Sequence, residues 1–191
     1  MRLHISNRAV FLDRDGTLNR KAPEGEYITR LEEFALLPEA LPSLAKLYDH
    51  QFKLFIVTNQ RGIARGQVSW QDLAEMHTYL VQQVESTGAR IERIVVCPHE
   101  ISERCDCRKP EPGMILRLAE EYQIDMARSW LIGDSVSDIT AGKRAGCHTA
   151  YIGSTDCAEA DISAASIDLV VDQLLATLPD EQKPPTTEGS S

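Results

Sequence analysis

The segment 9–19 carries two carboxylates at a spacing that can support chemistry. An apolar run, 9–12, predicts a buried strand, and Asp13 and Asp15 follow it directly. Residues i and i+2 of an extended chain project to the same side, so both carboxylates should enter one small space. There they repel each other unless a cation or a shared proton relieves them. Gly16 then lets the chain turn away. The alternative is a strand followed by an ordinary polar turn.

A third carboxylate follows another predicted strand. Asp134 comes after the predicted strand 129–132 and, with the first two aspartates, supplies hard oxygen ligands suited to Mg²⁺. The alternative role for this residue is a helix N-cap. Asp138, four residues later, is expected to orient the site or to cap the same helix.

Two further segments carry groups that can hold phosphate. Thr58 and Asn59 end the predicted strand 53–58 with a hydroxyl, an amide and free backbone N–H groups. Arg108 and Lys109 concentrate positive charge before a predicted helix start, where a lysine can balance phosphate and aspartate charge. The alternatives are a simple strand-to-loop cap and a solvated basic surface.

Four residues of metal-binding type lie close together in the pattern Cys-x-His, five residues, Cys-x-Cys: Cys97, His99, Cys105 and Cys107. Three sulfurs and one imidazole fit a closed tetrahedral Zn²⁺ site, in which the metal is structural rather than catalytic. A disulfide within this loop is the alternative, and a reducing compartment disfavours it.

Composition limits the classes of function. The chain has 191 residues and a net charge of −9, which argues against a general nucleic-acid binder. No stretch is apolar for long enough to span a bilayer, and the N-terminus lacks the apolar core of a signal peptide. We therefore expect a cytoplasmic monomer that contacts neither nucleic acid nor membrane.

Strands and helices are predicted to alternate along the chain, as in an α/β fold with a parallel sheet and helices on both faces. Ligands of such folds bind at the carboxyl ends of the strands. The predicted strands are 9–12, 53–58, 91–97, 129–132, 149–152 and 169–171. The predicted helices are 38–50, 69–87, 112–122, 139–145 and 172–178, and a disordered tail is expected over 179–191.

Four segments resemble the motifs of the haloacid dehalogenase-like (HAD-like) phosphatases: 11–17, 57–60, 107–110 and 133–134. The Cys/His loop and the segment 62–66 are similar to those of the D-glycero-D-manno-heptose 1,7-bisphosphate 7-phosphatases, close relatives of the histidinol-phosphate phosphatases. The resemblance spans 9–152 and implies a Rossmann-like HAD domain over 1–178. The short interval between the first two strands leaves no room for a cap domain.

The resemblance implies a role for each motif residue. Asp13 is the nucleophile that forms an aspartyl-phosphate, and Asp15 protonates the leaving alcohol and then activates water. Mg²⁺ is held by Asp13, the backbone carbonyl of Asp15, and Asp134. Thr58 and Lys109 stabilise the phosphoryl group. The implied substrate contacts are Arg14, Glu24, Gly25, Glu26, Tyr27, Asn59, Gln60, Arg61, Arg108 and Ser135.

Three features depart from the heptose phosphatase pattern. Ser135 stands where some members carry a lysine, Arg61 stands where a serine is common, and the loop 20–27 is a few residues longer. The leading hypothesis is a Mg²⁺-dependent phosphatase of a heptose bisphosphate, whose product could feed lipopolysaccharide or another glycoconjugate. Histidinol phosphate or another small sugar phosphate as substrate, a polynucleotide 3′-phosphatase, and a zinc-stapled binding module without turnover are the alternatives.

Overall fold

A computed structural model describes residues 7–179 of the chain. Its six strands form one parallel sheet in the order β3-β2-β1-β4-β5-β6. The strands are β1 (Ala9–Leu12), β2 (Lys53–Asn59), β3 (Ile91–Cys97), β4 (Trp130–Gly133), β5 (His148–Ile152) and β6 (Ile162–Ala164). The first strand in sequence is thus central in the sheet, which confirms the predicted parallel α/β fold.

Five α-helices cover the two faces of the sheet: α1 (Ala40–Asp49), α2 (Trp70–Glu85), α3 (Gly113–Tyr122), α4 (Val136–Ala145) and α5 (Ile167–Ala176). Alternate β1 side chains face opposite sides, as strand geometry requires. Val10 and Leu12 pack in the core cluster that holds the apolar stripes of α1, α2 and α5. Ala9 and Phe11 pack in a second cluster with α3 and α4. Each strand of the centre is therefore buried on both faces.

Local signals define the ends of two helices near the site. The Ser69 hydroxyl accepts a hydrogen bond from the Asp72 backbone N–H at 3.0 Å and so caps the start of α2. Ser135 and Asp138 form a capping box at the start of α4. Gly146, with φ +82°, ends α4 in the left-handed region, as its sequence position indicates.

The predicted strand 169–171 is wrong. These residues lie in α5, and the sixth strand is the preceding segment Ile162–Ala164. Two adjacent valines gave the appearance of a strand, but the buried residues of this region are Ile167, Val170, Val171 and Leu174, which recur at helical spacing. Only part of the expected tail, from residue 180 onward, lies outside the described residues, and its disorder stays a prediction.

The topology brings the ends of β1, β2 and β4 to one edge of the sheet. The Asp13 backbone N–H donates to the Ile132 carbonyl at 2.9 Å, so pairing with β4 continues one residue beyond β1. The interval between β1 and β2 contains one α-helix and one 3-10 turn, 31–33, as expected without a cap domain. Within residues 7–179, no helix is long and apolar enough to cross a membrane.

Candidate active site

Lys109 lies buried between two carboxylates at this edge. Its Nζ donates to Asp13 Oδ1 at 2.5 Å, lies 2.6 Å from Asp138 Oδ1 and donates to the Val57 carbonyl at 2.7 Å. Burial alone would lower the pKa of Lys109, but the charges of Asp13 and Asp138 outweigh it and raise the pKa above its ordinary value. The lysine is therefore a fixed positive charge beside the proposed nucleophile.

Asp13 has an unusual environment for a carboxyl group. Burial raises the pKa of Asp13 to about 7, with Lys109 opposing the rise and Asp138 and Asp15 adding to it. A buried carboxylate of this kind is stabilised in its charged form by a nearby cation. The position thus favours binding of a metal ion or of a proton.

Asp134 completes a cluster of three carboxylates with Asp13 and Asp138. One oxygen from each lies within 4.8 Å of the others, and hard oxygen donors at this separation fit Mg²⁺. Gly16 has φ +93°, and a β-carbon on it would overlap the Asp134 carboxylate. The glycine therefore allows both the turn and the close approach of β1's loop to Asp134.

The Asp15 side chain has a different set of partners. It accepts hydrogen bonds from Arg14 Nη2 at 2.8 Å, Asn19 Nδ2 at 2.9 Å and Gln60 Nε2 at 2.6 Å. Burial would raise its pKa, but Arg14 and these hydrogen bonds lower it. Asp13 and Asp15 line one cavity, as the i, i+2 spacing predicts, but only Asp13 belongs to the carboxylate cluster.

Arg14 lies behind Asp15 rather than in the cavity. Its side chain is 1% exposed, stacks over Phe34 and has Nη1 3.2 Å from His77 Nε2. The guanidinium group of Arg14 donates to Asp15, and the expected contact between Arg14 and substrate stays a prediction. His77 is a packed histidine, as its place in the apolar stripe indicates. Burial and Arg14 lower the pKa of His77 to about 4.

Residues at the end of β2 form hydrogen bonds that support the site. Thr58 is buried, and its hydroxyl accepts from Gln60 Nε2 at 2.9 Å. Asn59 Nδ2 donates to the Lys109 backbone carbonyl, and the Lys109 backbone N–H donates to Asn59 Oδ1, both at 3.1 Å. These two bonds connect the end of β2 to the segment that carries Lys109. The cavity of this site is lined by Asp13, Asp15, Lys21, Asn59, Arg108, Lys109, Asp134, Ser135, Ser137 and Asp138.

The predicted contacts in the loop 24–27, and Arg61, lie elsewhere. Gly25, Glu26 and Tyr27 line a separate depression, and Glu24 is exposed outside the catalytic cavity. The Tyr27 hydroxyl accepts from Arg61 Nε at 2.9 Å, and Arg61 faces Glu100 at 3.7 Å. The Tyr27 ring also packs closely on Gly62. This loop therefore folds against the segment after β2, outside the catalytic cavity, and its expected contact with substrate stays a prediction.

Sequence reasoning missed Lys21 and Asn19, as well as Ser137 of the cavity lining. Lys21 lines the cavity, and its Nζ donates to Asp134 Oδ2 at 2.7 Å across 113 positions of sequence. Asn19 holds Asp15 and also donates to the Arg20 carbonyl. The only sequence signal was that Lys21 and Asn19 belong to the polar segment directly after Gly16.

The Cys/His loop forms a second, separate cluster. Cys97, Cys105 and Cys107 have Sγ atoms 3.3–3.6 Å apart, and His99 Nδ1 lies 3.1 Å from Cys107 Sγ and 3.7 Å from Cys97 Sγ. None of the three thiols is in a disulfide. Four converging donors of this type, at distances close to the edges of a tetrahedron around one ion, fit Zn²⁺.

Comparisons with known proteins agree with these features. A sequence model described as HAD-hydrolase-like matches residues 106–177. The D-glycero-beta-D-manno-heptose-1,7-bisphosphate 7-phosphatase of Pseudomonas aeruginosa is 35% identical over 148 residues, covering 78% of this chain and 82% of the relative. The alpha-anomer phosphatase of Mycobacterium tuberculosis is 37% identical over 164 residues, covering 85% and 83%.

A solved structure shares the fold over almost the whole described chain. The D,D-heptose 1,7-bisphosphate phosphatase from B. bronchiseptica, complexed with magnesium and phosphate, has a TM-score of 0.82 and 28% identity. The match covers 90% of this chain and 99% of that one. The chain belongs to the D-glycero-D-manno-heptose 1,7-bisphosphate 7-phosphatase family of the HAD-like hydrolases.

Proposed function

We propose that this protein is a Mg²⁺-dependent phosphatase that removes the 7-phosphate of D-glycero-D-manno-heptose 1,7-bisphosphate. The observation that carries the proposal is the placement of Asp13 against Lys109 and beside Asp134 and Asp138, in a cavity at the carboxyl ends of β1 and β4. The names of the similar proteins support the substrate, and the magnesium and phosphate of the B. bronchiseptica complex support the cofactor and the chemistry.

Asp13 is the proposed nucleophile. A carboxylate oxygen of Asp13 attacks phosphorus, the bond from phosphorus to the sugar oxygen breaks, and an aspartyl-phosphate forms. Asp15 gives a proton to the leaving oxygen, then takes one from the water that hydrolyses the aspartyl-phosphate. The phosphate dianion favours the protonated form of Asp15, against the effect of Arg14.

Charge on the phosphoryl group is balanced by fixed groups of the chain. Lys109 supplies a buried ammonium group, and the Thr58 hydroxyl lies at the end of the neighbouring strand. Asp13, Asp134 and the backbone carbonyl of Asp15 would hold Mg²⁺, which when bound neutralises charge on the transferring group. These groups are in place before the reaction, which is how enzymes stabilise developing charge at low cost.

A neighbouring cavity suits the phosphate that is not hydrolysed. It shares Asn59, Arg108, Lys109 and Ser137 with the catalytic cavity and continues along the Cys/His loop past Arg104. Among residues 7–179, neither Arg104 nor Arg108 has a carboxylate within 4 Å of its guanidinium group, although the chain is acidic overall. Two arginines without a carboxylate partner beside the site would bind a second phosphate.

The Cys/His cluster is proposed to hold a structural Zn²⁺. Arg104 and Arg108 lie directly outside the Cys105-x-Cys107 pair, so a metal bound there would fix both arginines relative to the cavity. Free thiol ligands are kept in a reducing compartment, and we propose a cytoplasmic location for that reason. We further propose that the chain acts as a monomer without nucleic-acid or membrane partners.

A substrate panel tests this function. Phosphate release with Mg²⁺ is measured from α- and β-heptose 1,7-bisphosphate, fructose 1,6-bisphosphate and histidinol phosphate. We expect one heptose anomer to exceed the other substrates in kcat/KM by about two orders of magnitude, roughly 2.7 kcal/mol. If histidinol phosphate had the highest kcat/KM, the proposed substrate would be wrong, while the proposed phosphatase chemistry would stand. Asp13→Asn should abolish release from every substrate, and release that survives this change would overturn the nucleophile.

A further inference from the structure

Lys21 places an ammonium group at the mouth of the catalytic cavity. Its Nζ donates to Asp134 Oδ2 at 2.7 Å, and its side chain is 55% exposed while that of Asp134 is 16% exposed. The two lysines of the cavity thus differ in burial and in their carboxylate partners. Lys109 is buried with Asp13 and Asp138, whereas Lys21 reaches Asp134 from solvent and can turn toward an entering ligand.

The backbone before Lys21 is anchored to the catalytic residues. Asn19 donates through Nδ2 to both Asp15 Oδ1 and the Arg20 carbonyl, each at 2.9 Å. The Arg20 backbone N–H donates to the Ala35 carbonyl at 2.8 Å. A long side chain that starts from a fixed point needs little ordering of its loop to bind a ligand. The position of Lys21 is therefore built into the site.

The charges of the cavity leave a place for one more cation. Asp13, Asp134 and Asp138 contribute three negative charges, and Lys109 contributes one positive charge. A bound Mg²⁺ would bring this group to zero, whereas a phosphate monoester carries about two negative charges. Arg108 extends into the neighbouring cavity that we assign to the second phosphate. Arg108 lines the catalytic cavity as well, and Lys21 is the further cation there, in direct contact with a carboxylate of the cluster.

We propose that Lys21 is a phosphate-binding residue of this site, whose Nζ donates to an oxygen of the phosphoryl group that is transferred. An ammonium group has three donors, so it can keep the bond to Asp134 while it binds the phosphate. The inference rests on the proposed phosphatase function. It is independent of which sugar carries the phosphate, and the probes below contain no sugar.

Calorimetry with two probes separates this role from simple neutralisation of Asp134. Mg²⁺ alone is titrated first, and orthovanadate is then titrated into the Mg²⁺-loaded protein. We expect Lys21→Ala to weaken vanadate binding about tenfold, or about 1.4 kcal/mol. Lys21→Arg should retain most of the affinity because it keeps the charge and the donors. The Mg²⁺ affinity of Lys21→Ala should be unchanged or tighter, since a competing cation is removed from Asp134.

Lys46→Ala is the matched control. Lys46 is 49% exposed and donates to Asp172 at 2.8 Å, an equivalent lysine–aspartate pair outside both cavities. Equal vanadate affinity in Lys21→Ala and Lys46→Ala would overturn the inference, and tighter Mg²⁺ binding alone would make Lys21 a counter-ion of Asp134. A wild-type protein that binds no vanadate with Mg²⁺ would instead contradict the proposed phosphatase function.

Discussion

Gly16 controls how closely the turn after β1 approaches Asp134. In Gly16→Ala the new β-carbon would overlap the Asp134 carboxylate, and the φ of +93° would be strained as well. We expect the displaced carboxylate to weaken Mg²⁺ binding by about tenfold or more, roughly 1.4 kcal/mol. Titration calorimetry with Mg²⁺ measures the effect.

Gly25→Ala provides the control for backbone strain. Gly25 has a similar φ of +84°, but a β-carbon on it would meet no atom within 4 Å. Both variants carry the conformational penalty, and only the first should lose Mg²⁺ affinity. Equal Mg²⁺ affinities in the two alanine variants would contradict the assignment of Asp134 as a ligand whose position depends on Gly16.

His77 should make the folded state sensitive to acid. Its pKa is lowered to about 4 by burial and Arg14, against 6.5 for the unfolded chain. The unfolded state therefore binds the proton first, so the stabilising effect is present above pH 6.5 and is lost as the pH falls toward 4. Between pH 7 and pH 5, wild type should lose about 2 kcal/mol more stability than His77→Gln.

Urea unfolding at the two pH values gives this difference directly. Thr78→Val is a useful reference, because Thr78 is the next residue of α2, is exposed, and its hydroxyl donates to the Ala74 carbonyl of the same helix. Its stability should follow the wild-type pH dependence. A His77→Gln protein that loses as much stability as wild type would show that the histidine is protonated in the folded state.

At the scale of elements, the Cys/His loop forms a wall of the cavity assigned to the second phosphate. Elemental analysis should find one zinc per chain, and Cys105→Ser should lose it because a closed site needs all four ligands. Loss of zinc should raise the KM for the bisphosphate, since Arg104 and Arg108 lie beside the ligands. Cys157→Ser is the control, because Cys157 is also a half-buried free thiol. Full zinc content in Cys105→Ser would contradict the assigned ligand set.

The two arginines of this wall should recognise the phosphate that stays on the product. Arg104→Ala should raise the KM for heptose 1,7-bisphosphate about tenfold, the effect of one charged hydrogen-bonding group, and leave heptose 7-phosphate unaffected. Steady-state kinetics with both substrates measures the difference. Arg117→Ala is the control, because Arg117 is exposed and pairs with Asp106 on the same loop. An equal loss for both substrates would place Arg104 outside a second phosphate site.

At the scale of the whole molecule, the parallel sheet was predictable because each central strand is a continuous apolar run followed by polar residues. Asp13, Thr58 and Asp134 all follow such runs, and parallel topology is enough to gather them at one edge. The error at 169–171 arose because Val170 and Val171 suit a strand locally. Packing of α5 against the sheet determines that these residues are helical, and a short stretch of sequence does not reveal that contact.

Contacts distant in sequence account for what could not be predicted at the site. The spacing of Asp13 and Asp15 predicted that both line one cavity. Only the folded structure shows that Arg14, Asn19 and Gln60 donate hydrogen bonds to the Asp15 carboxylate. The bond between Lys21 and Asp134 joins two loops that no local pattern relates. Lysine in a polar loop is usually a solvated surface residue, so its type alone carried no signal.

Phosphorus NMR of the products from heptose 1,7-bisphosphate tests the assigned function most directly. With Mg²⁺, wild-type protein should convert the phosphate on carbon 7 to inorganic phosphate and leave the phosphate on carbon 1 in place. Asp13→Asn and a sample with excess chelator should leave both sugar phosphates intact. Removal of the carbon 1 phosphate, or no release from either anomer while Mg²⁺ is present, would contradict the proposed function.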